Sequence, residues 1–295
     1  MRGPSEERKV EQKALVERLY QHVEHLSVRI GERHLWRDTS LDRSAEYIES
    51  VFTSCQYPVW RQTYPCYGKS VSNLIAEKPG SGEGVIILGA HYDTVPGTPG
   101  ADDNASAVAG LLELARLCQG MVYEKTLVFA AFANEEPPCF GSSNMGSMVY
   151  ARHLSSRGTR VVVMICLEMI GYFTERRIQN YPLPGMGLFY PREADYIGVV
   201  GNFRSHKFVS LVKRGIRRHS SLNARSLTGP EFFGGINLSD HSSFWHHGYQ
   251  GIMVTDTSFF RNRHYHQATD SIETLDFERM GEVVRGLFHT LSRIR

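Results

Sequence analysis

The stretch VIILGAHYDTVPGTPGADDNASAVAGLLELARLC, residues 85–118, decides the fold. It begins with an unbroken apolar run over residues 85–90, which is typical of a strand that is covered on both faces of a sheet. A polar loop follows, and the apolar spacing then predicts a helix over residues 105–118. The apolar positions of that helix are Leu111, Leu112, Leu114 and Ala115. A buried strand that leads through a loop into a helix is the building unit of an α/β fold.

The same unit recurs outward in both directions along the chain. Further strands are expected over residues 56–64, 71–77, 126–133, 161–167, 197–200, 224–227 and 251–255. Further helices are expected over residues 8–30, 42–53, 145–155, 206–219, 241–247 and 277–294. This alternation predicts an α/β fold, a three-layer α/β/α sandwich around a mixed, mostly parallel sheet. No repeat or linker interrupts it, so residues 1–295 are expected to form a single domain, with residues 1–55 as a helical segment packed on it.

Composition and charge argue against several classes of partner. The 33 basic and 31 acidic residues nearly balance, so neither nucleic acid nor an anionic membrane is expected as a partner. No stretch approaches the ~18 apolar residues of a spanning helix, and the charged N-terminus lacks the apolar segment of a signal peptide. Five scattered cysteines without a CxxC pair are typical of reduced thiols. The sequence therefore favours a cytoplasmic protein, and it leaves the oligomeric state open.

Acidic and imidazole side chains follow the predicted strands, at the point where each strand ends. They are His91 and Asp93, then Asp102 and Asp103 in the loop, Glu135 and Glu136, Glu168, Asp256, His264 and His266. Ligands of open α/β sheets bind beyond the carboxyl ends of the strands, so these groups are expected to converge. Any one of them alone would more often be a helix cap or a solvated surface group.

Convergence of so many carboxylates requires compensation of their charge. Uncompensated carboxylates crowded in a cleft repel each other, and some would have to protonate. Two histidines and several carboxylates offer enough nitrogen and oxygen donors for two zinc ions, and the absence of thiolates disfavours a closed structural site. Glu168 is the hardest to explain otherwise, because it lies between the buried positions Leu167 and Met169.

Four segments carry a resemblance to metallopeptidase family 28, which covers residues 20–290 in order. They are GAHYDTVPGTPGADDNASAVAGLLELA (89–115), FANEEPPCFGS (132–142), LEMIGYF (167–173) and HYHQATDS (264–271). That family includes bacterial leucyl-type aminopeptidases, with glutaminyl cyclases and glutamate carboxypeptidases as relatives. The resemblance implies an α/β/α fold, two zinc ions as cofactors and a peptide substrate.

The resemblance also implies roles for individual residues. His91 and Glu168 would bind one zinc, Glu136 and His266 the other, and Asp102 would bridge them. Glu135 would be the general base that takes a proton from the attacking water. Asp93 would orient the His91 ring, and Asp103 would shape the turn beside the bridge. Asp240 and His241 match a segment near the substrate end of the cleft and are expected at the substrate or just behind the ligands.

One position departs from the family pattern, and three alternatives stay open. The aminopeptidases usually carry Asp where this chain has Glu168, which keeps the charge and donor atoms but is one methylene longer. The expected activity is release of N-terminal residues from peptides. A carboxypeptidase would need a cation such as Arg204 or Arg261 for the substrate carboxylate. A glutaminyl cyclase would use one zinc, and a non-catalytic homologue would have lost Glu135 or a ligand, which this chain retains.

Overall fold

A computed structural model describes residues 4–37 and 39–294, with eight strands and seven α-helices in these ranges. The strands are β1 (Val59–Cys66), β2 (Lys69–Lys78), β3 (Val85–His91), β4 (Thr126–Phe132), β5 (Val161–Glu168), β6 (Tyr196–Asn202), β7 (Asn223–Gly229) and β8 (Gly251–Thr255). The helices are α1 (Pro4–Val23), α2 (Ser40–Ser54), α3 (Ala107–Cys118), α4 (Gly146–Ser156), α5 (His206–His219), α6 (His241–His246) and α7 (Phe277–Leu291).

All eight strands form one mixed sheet in the order β1-β2-β4-β3-β5-β8-β6-β7. Its centre is parallel, because β4, β3, β5 and β8 run side by side in the same direction. The hairpin β1–β2, the pairing of β2 with β4 and the pairing of β6 with β8 supply the antiparallel contacts. The carboxyl ends of the parallel strands therefore meet at one edge, as the sequence predicts.

Side chains alternate between two cores on the two faces of the sheet. Leu88 of β3 packs into the larger core with helices α1, α2, α3, α5 and α7, whereas Ile87 points into the smaller core with α4 and α6. This alternation follows from the two-residue period of a strand. The predicted three-layer α/β/α sandwich is confirmed.

Most element boundaries agree with the sequence prediction to within three residues, and the first helix differs most. It begins at Pro4 and changes at Glu24–Ile30 to the wider π-helical pattern. Within that turn the Ser27 hydroxyl donates to the carbonyl of Val23 at 2.8 Å, a local bond that competes with the regular ladder. Arg18 of α1 pairs with the buried Glu113 of α3, Nε to Oε2 at 2.9 Å, which fastens this helix to the sandwich.

Among the described residues, none of the helices combines the length and the apolar character that crossing a bilayer requires.

Candidate functional site

The parallel strands deliver three groups of polar side chains to one edge of the sheet. His91 is the last residue of β3, Glu168 is the last residue of β5, and Glu135 and Glu136 follow β4. All four side chains are at least 94% buried. The predicted convergence at the strand ends is therefore present in the structure.

The carboxylate of Asp103 lies between the two imidazoles. Its Oδ1 is 3.4 Å from Nε2 of His91, and its Oδ2 is 3.2 Å from Nε2 of His266. Burial acts to raise the pKa of Asp103, but the two nearby imidazoles outweigh it and hold the pKa below its usual range. Asp103 therefore faces both halves of the site, the one at His91 and the one at His266.

Asp102, the residue predicted to bridge two metals, points elsewhere, so this assignment needs correction. Its oxygens accept hydrogen bonds from the Gly171 amide at 3.0 Å and from Nδ2 of Asn262 at 2.7 Å. The physical reason is the backbone of Asp103, which is extended (φ −101°, ψ 92°) and turns neighbouring side chains to opposite sides. The two aspartates therefore cannot share a face, and it is Asp103 that faces both imidazoles.

The remaining acidic groups divide between the two histidines. Nε2 of His91 lies 3.5 Å from Oε2 of Glu168 and 3.8 Å from Oε2 of Glu135. Nε2 of His266 lies 3.2 Å from Oε1 of Glu136. Two sets of donors are close enough together to hold a metal ion, His91 with Glu135 and Glu168, and His91 with Asp103 and Glu136.

The donor set fits divalent metal ions on grounds of charge and hydrogen bonding. Oδ1 of Asp103 and Nε2 of His266 are buried and accept or donate no hydrogen bond of regular geometry among the described residues, which is costly unless another group satisfies them. Burial, reinforced by Asp103, raises the pKa of Glu136 to about 8, and burial also raises the pKa of Glu135 well above its usual value. Cations among these carboxylates would relieve both strains.

Two further carboxylates hold the backbone beneath these groups. Asp93 accepts hydrogen bonds from the amides of Glu135 and Glu136, each at 3.0 Å. Asp270 accepts in the same way from the amides of Asp102 and Asp103, at 2.9 and 3.0 Å. Asp270 was missed as a site residue, although it stands four residues after His266 inside the motif HYHQATDS.

The predicted role of Asp93 toward the His91 ring is shared with its own backbone. Nδ1 of His91 is 3.2 Å from the carbonyl oxygen of Asp93 and 3.6 Å from its Oδ1. The carboxylate itself is engaged by the two loop amides. Asp93 therefore positions both the imidazole and the loop that carries Glu135.

A buried arginine from the N-terminal segment braces the same loops. The Arg33 guanidinium donates to the carbonyl of Tyr92, directly after His91, and to that of Gly100, two residues before Asp102. Its other acceptors are the carbonyls of Leu26, Gly31 and Pro99. The helical segment that precedes the sheet thus contributes to the site through one side chain.

Glu168 receives a hydrogen bond from the Ser239 hydroxyl at 2.6 Å, and no arginine of the described residues pairs with it. Arg204, the competing partner considered from the sequence, donates instead to the carbonyl of Gly248 at 3.2 Å. The carboxylate therefore faces His91, and Ser239 fixes its orientation.

The two residues expected near the substrate do not line the cavity. His241 is fully buried, with Nε2 2.6 Å from the carbonyl oxygen of Ile236, and burial lowers its pKa to about 4. Asp240 is fully buried behind His91 and Glu168, and burial raises its pKa to about 7. Direct substrate contact is wrong for both, because the short helix α6 packs them inward.

A cavity of about 320 Å³ opens beside the acidic groups. Asp103, Glu135, Glu136, Glu168 and His266 form one part of its wall. Aromatic residues form much of the remainder, among them Tyr181, Tyr190, Tyr196, Phe259, Phe260 and Tyr265. The Tyr265 ring stacks on His266 with 3.7 Å between centroids. The volume is that of a small-molecule site.

Backbone strain is concentrated at the same edge. Asn134, Met169 and His266 have positive φ angles of 60°, 47° and 56°, in the left-handed region that disfavours residues with a Cβ. Each is itself one of the convergent residues or adjacent to one. Such conformations persist at functional sites when the surroundings impose them.

The chain is similar in sequence and in fold to known proteins. The chain is 40% identical over 284 residues to the uncharacterized protein YfbL of Escherichia coli. The aligned region covers 93% of this chain and 87% of that protein. It is 29% identical to a probable leucine aminopeptidase of Trichophyton verrucosum over 71% of this chain. It spans about half the length of that protein and of the other leucine aminopeptidases it matches.

Solved structures match the whole sandwich. The zinc aminopeptidase BSAP of Bacillus subtilis superimposes with a TM-score of 0.75 at 16% identity, over 94% of each chain. A glutaminyl cyclase of Bacteroides thetaiotaomicron, bound to N-acetylhistamine, gives a TM-score of 0.72 at 17% identity, over 95% of this chain and 98% of the other. At these identities the likeness concerns the fold.

The model of peptidase family M28 matches residues 73–291, which include all the groups that converge at the sheet edge. Because this match spans most of the sequence, the chain belongs to peptidase family M28, a family of peptide hydrolases.

Proposed function

We propose that the protein is a zinc-dependent aminopeptidase that removes N-terminal residues from peptides. The observation that carries the proposal is the Asp103 carboxylate, whose two oxygens face the two imidazoles, each beside a further carboxylate. This arrangement offers two adjacent donor sets with one shared member. The names of the aminopeptidase relatives support the same activity.

His91 and Glu168 would hold one zinc ion, Glu136 and His266 a second, and Asp103 both. The donors are imidazole nitrogens and carboxylate oxygens, which zinc accepts in catalytic sites. When bound, such ions act as Lewis acids and lower the pKa of water toward neutrality. The Glu168 side chain meets His91 at 3.5 Å despite its extra methylene, which supports its place in the first set.

Glu135 would act as the general base. It lines the cavity, is 6% exposed, and faces His91 without a hydrogen bond to its side chain from any described residue. A carboxylate whose pKa is raised by burial accepts a proton near neutral pH more readily than an ordinary glutamate. Glu135 would take the proton of the attacking water and then return it to the leaving amine.

The acidic wall also favours an amino terminus over a carboxylate beside the reacting bond. Arg261, one candidate for a carboxypeptidase, is 3% exposed and donates to the carbonyls of Ala194 and Tyr196, both at 2.7 Å. Arg261 is also not one of the residues that line the cavity. The cyclase alternative requires one zinc, whereas His91 and Glu168 supply donors for a second.

The test combines metal content with turnover. Purified protein should hold or regain two zinc ions per chain and hydrolyse leucine amides, but not their N-acetylated forms. Glu135→Gln should keep the zinc and lose roughly 100- to 10,000-fold in kcat, because the amide cannot accept the proton. Glu83→Gln is a matched control, since that side chain is 92% exposed at the opposite end of β3. Full activity of Glu135→Gln, or cleavage of the acetylated peptides alone, would refute the proposal.

A further inference from the structure

The wall of the cavity carries groups of opposite charge. The acidic groups of the strand ends form one part of it, and Arg225 of the edge strand β7 lies in the part contributed by β6 and β7, level with Glu168 but three strands away across the sheet. Arg225 is an exposed side chain of that strand. Within the described part of the chain, no carboxylate pairs with its guanidinium, although most other arginines near the site are engaged.

Tyrosine hydroxyls lie on the same cavity wall as Arg225. The hydroxyls of Tyr181 and Tyr196 lie 3.1 Å apart on the same wall. Arg225 pairs in the sheet with Gly198 of β6, which lines the same cavity. Next along β7, Ser226 accepts a hydrogen bond from Nζ of Lys213 at 3.0 Å. A second cation therefore stands behind this wall.

Such a place suits a carboxylate. Arginine presents a planar fork of donors that matches the two oxygens of a carboxylate group, and this pairing gains strength where water is partly excluded. The other arginines considered for the purpose are occupied, since Arg261 is bound to backbone carbonyls and Arg204 bonds Gly248 outside the cavity. Arg225 is thus a cation in the substrate cavity without an internal partner.

We propose that Arg225 binds a carboxylate of the substrate, so that the preferred substrates are short peptides with a carboxylate on the side of the cavity away from the acidic groups. This inference rests on the proposed aminopeptidase function. The carboxylate can be the free C-terminus of a dipeptide or the side chain of an acidic N-terminal residue. A cavity of about 320 Å³ limits the ligand to this size class.

Two matched substrate pairs distinguish these sources in the zinc-loaded full chain. Leu-Leu against Leu-Leu-amide tests the C-terminal carboxylate, and Glu-Leu-amide against Gln-Leu-amide tests the side chain. In one of these two pairs, kcat/KM should be roughly 10- to 100-fold higher for the peptide that carries the carboxylate than for its neutral partner, as expected for a charged hydrogen bond. Arg225→Gln should reduce that preference to within about twofold, because kcat/KM falls for the carboxylate peptide. Arg204→Gln, the matched control, should keep the preference.

A binding measurement makes the result independent of turnover. Calorimetry with Glu135→Gln should show tighter binding of the same carboxylate peptide over its amide, and the difference should vanish when Arg225→Gln is added. Equal binding of both members in both pairs, or a preference that survives Arg225→Gln, overturns the role of Arg225. Failure to hydrolyse any peptide, including Leu-Leu-amide, would refute the aminopeptidase function instead, and the calorimetric difference would still decide the carboxylate site.

Discussion

Two acidic pairs, Asp102-Asp103 and Glu135-Glu136, are built alike and used differently. In each pair two successive amides donate to one remote carboxylate, Asp270 for the first pair and Asp93 for the second. Both glutamates line the cavity, whereas only the second aspartate does. Identical backbone support therefore does not imply identical exposure of the side chains, because the local φ and ψ angles decide which way each one points.

Asp102, the aspartate that does not line the cavity, has a structural role. Asp102 Oδ1 lies so close to Gly171 that a Cβ there would meet it at 3.0 Å, and Asn262 bonds its other oxygen. Burial and the neighbouring carboxylate of Asp256 raise the pKa of Asp102 well above its usual value. Asp102 thus ties the loop after β5 to the loop that carries Asn262, behind the site.

The largest effect on activity and metal content should come from substitution of Asp103, the aspartate that faces the two imidazoles. Asp103→Asn should abolish hydrolysis and lower the zinc content of both sites, because an amide offers one neutral oxygen where two charged ones face the imidazoles. Asp102→Asn should retain two zinc ions and most of the activity. Metal analysis and initial rates of the two variants give the comparison.

The opposite ranking would restore the assignment made from the sequence. If Asp102→Asn lost the metals while Asp103→Asn kept them, the side chains would have to exchange faces in the metal-loaded protein.

The next effect concerns one half of the site. Glu168→Ala should reduce the zinc content from two ions to one, since Glu168 stands with His91 and away from His266. Ser239→Ala is the matched control, because it removes the 2.6 Å hydrogen bond that orients Glu168, together with a 3.2 Å contact to Sγ of Cys166, and should leave both ions bound with weaker affinity. Equal zinc content in Glu168→Ala and the unaltered protein would remove Glu168 from the donor set.

The two supporting carboxylates allow a symmetrical test. Asp93→Asn and Asp270→Asn should each cost roughly 10- to 100-fold in metal affinity or activity, as is typical of groups that hold ligands in place. In both variants one loop amide loses its acceptor, so the two losses should be similar. Zinc titration against a competing chelator measures them. A loss confined to Asp93→Asn would mean that the Asp270 contact serves stability alone.

The sequence predicted more of the fold than of the side-chain directions. The run at residues 85–90 and its counterparts at 126–133 and 161–167 fixed the strand ends, because long buried strands have an unmistakable apolar pattern. The choice between Asp102 and Asp103 depended on one extended residue inside a loop, and periodicity carries no information about it. Asp270 acts on a loop 167 residues away, a contact that only the fold creates.

His241 lies outside the two acidic pairs. Its substitution should have the smallest effect, on stability alone. Burial lowers its pKa to about 4, and its Nε2 lies 2.6 Å from the carbonyl oxygen of Ile236. Below a pH of roughly 6.5 the unfolded chain binds a proton at this position, whereas the folded protein stays neutral down to about pH 4. Stability is therefore lost as the pH falls through this window, by about 2 kcal/mol at pH 5.

His241→Gln, which can still donate to Ile236, should lack this loss, while the exposed His246→Gln should behave like the unaltered protein. Urea unfolding at pH 7 and pH 5 measures the difference between variants. An equal pH dependence in His241→Gln would show that His241 is protonated as readily in the folded protein as in the unfolded chain.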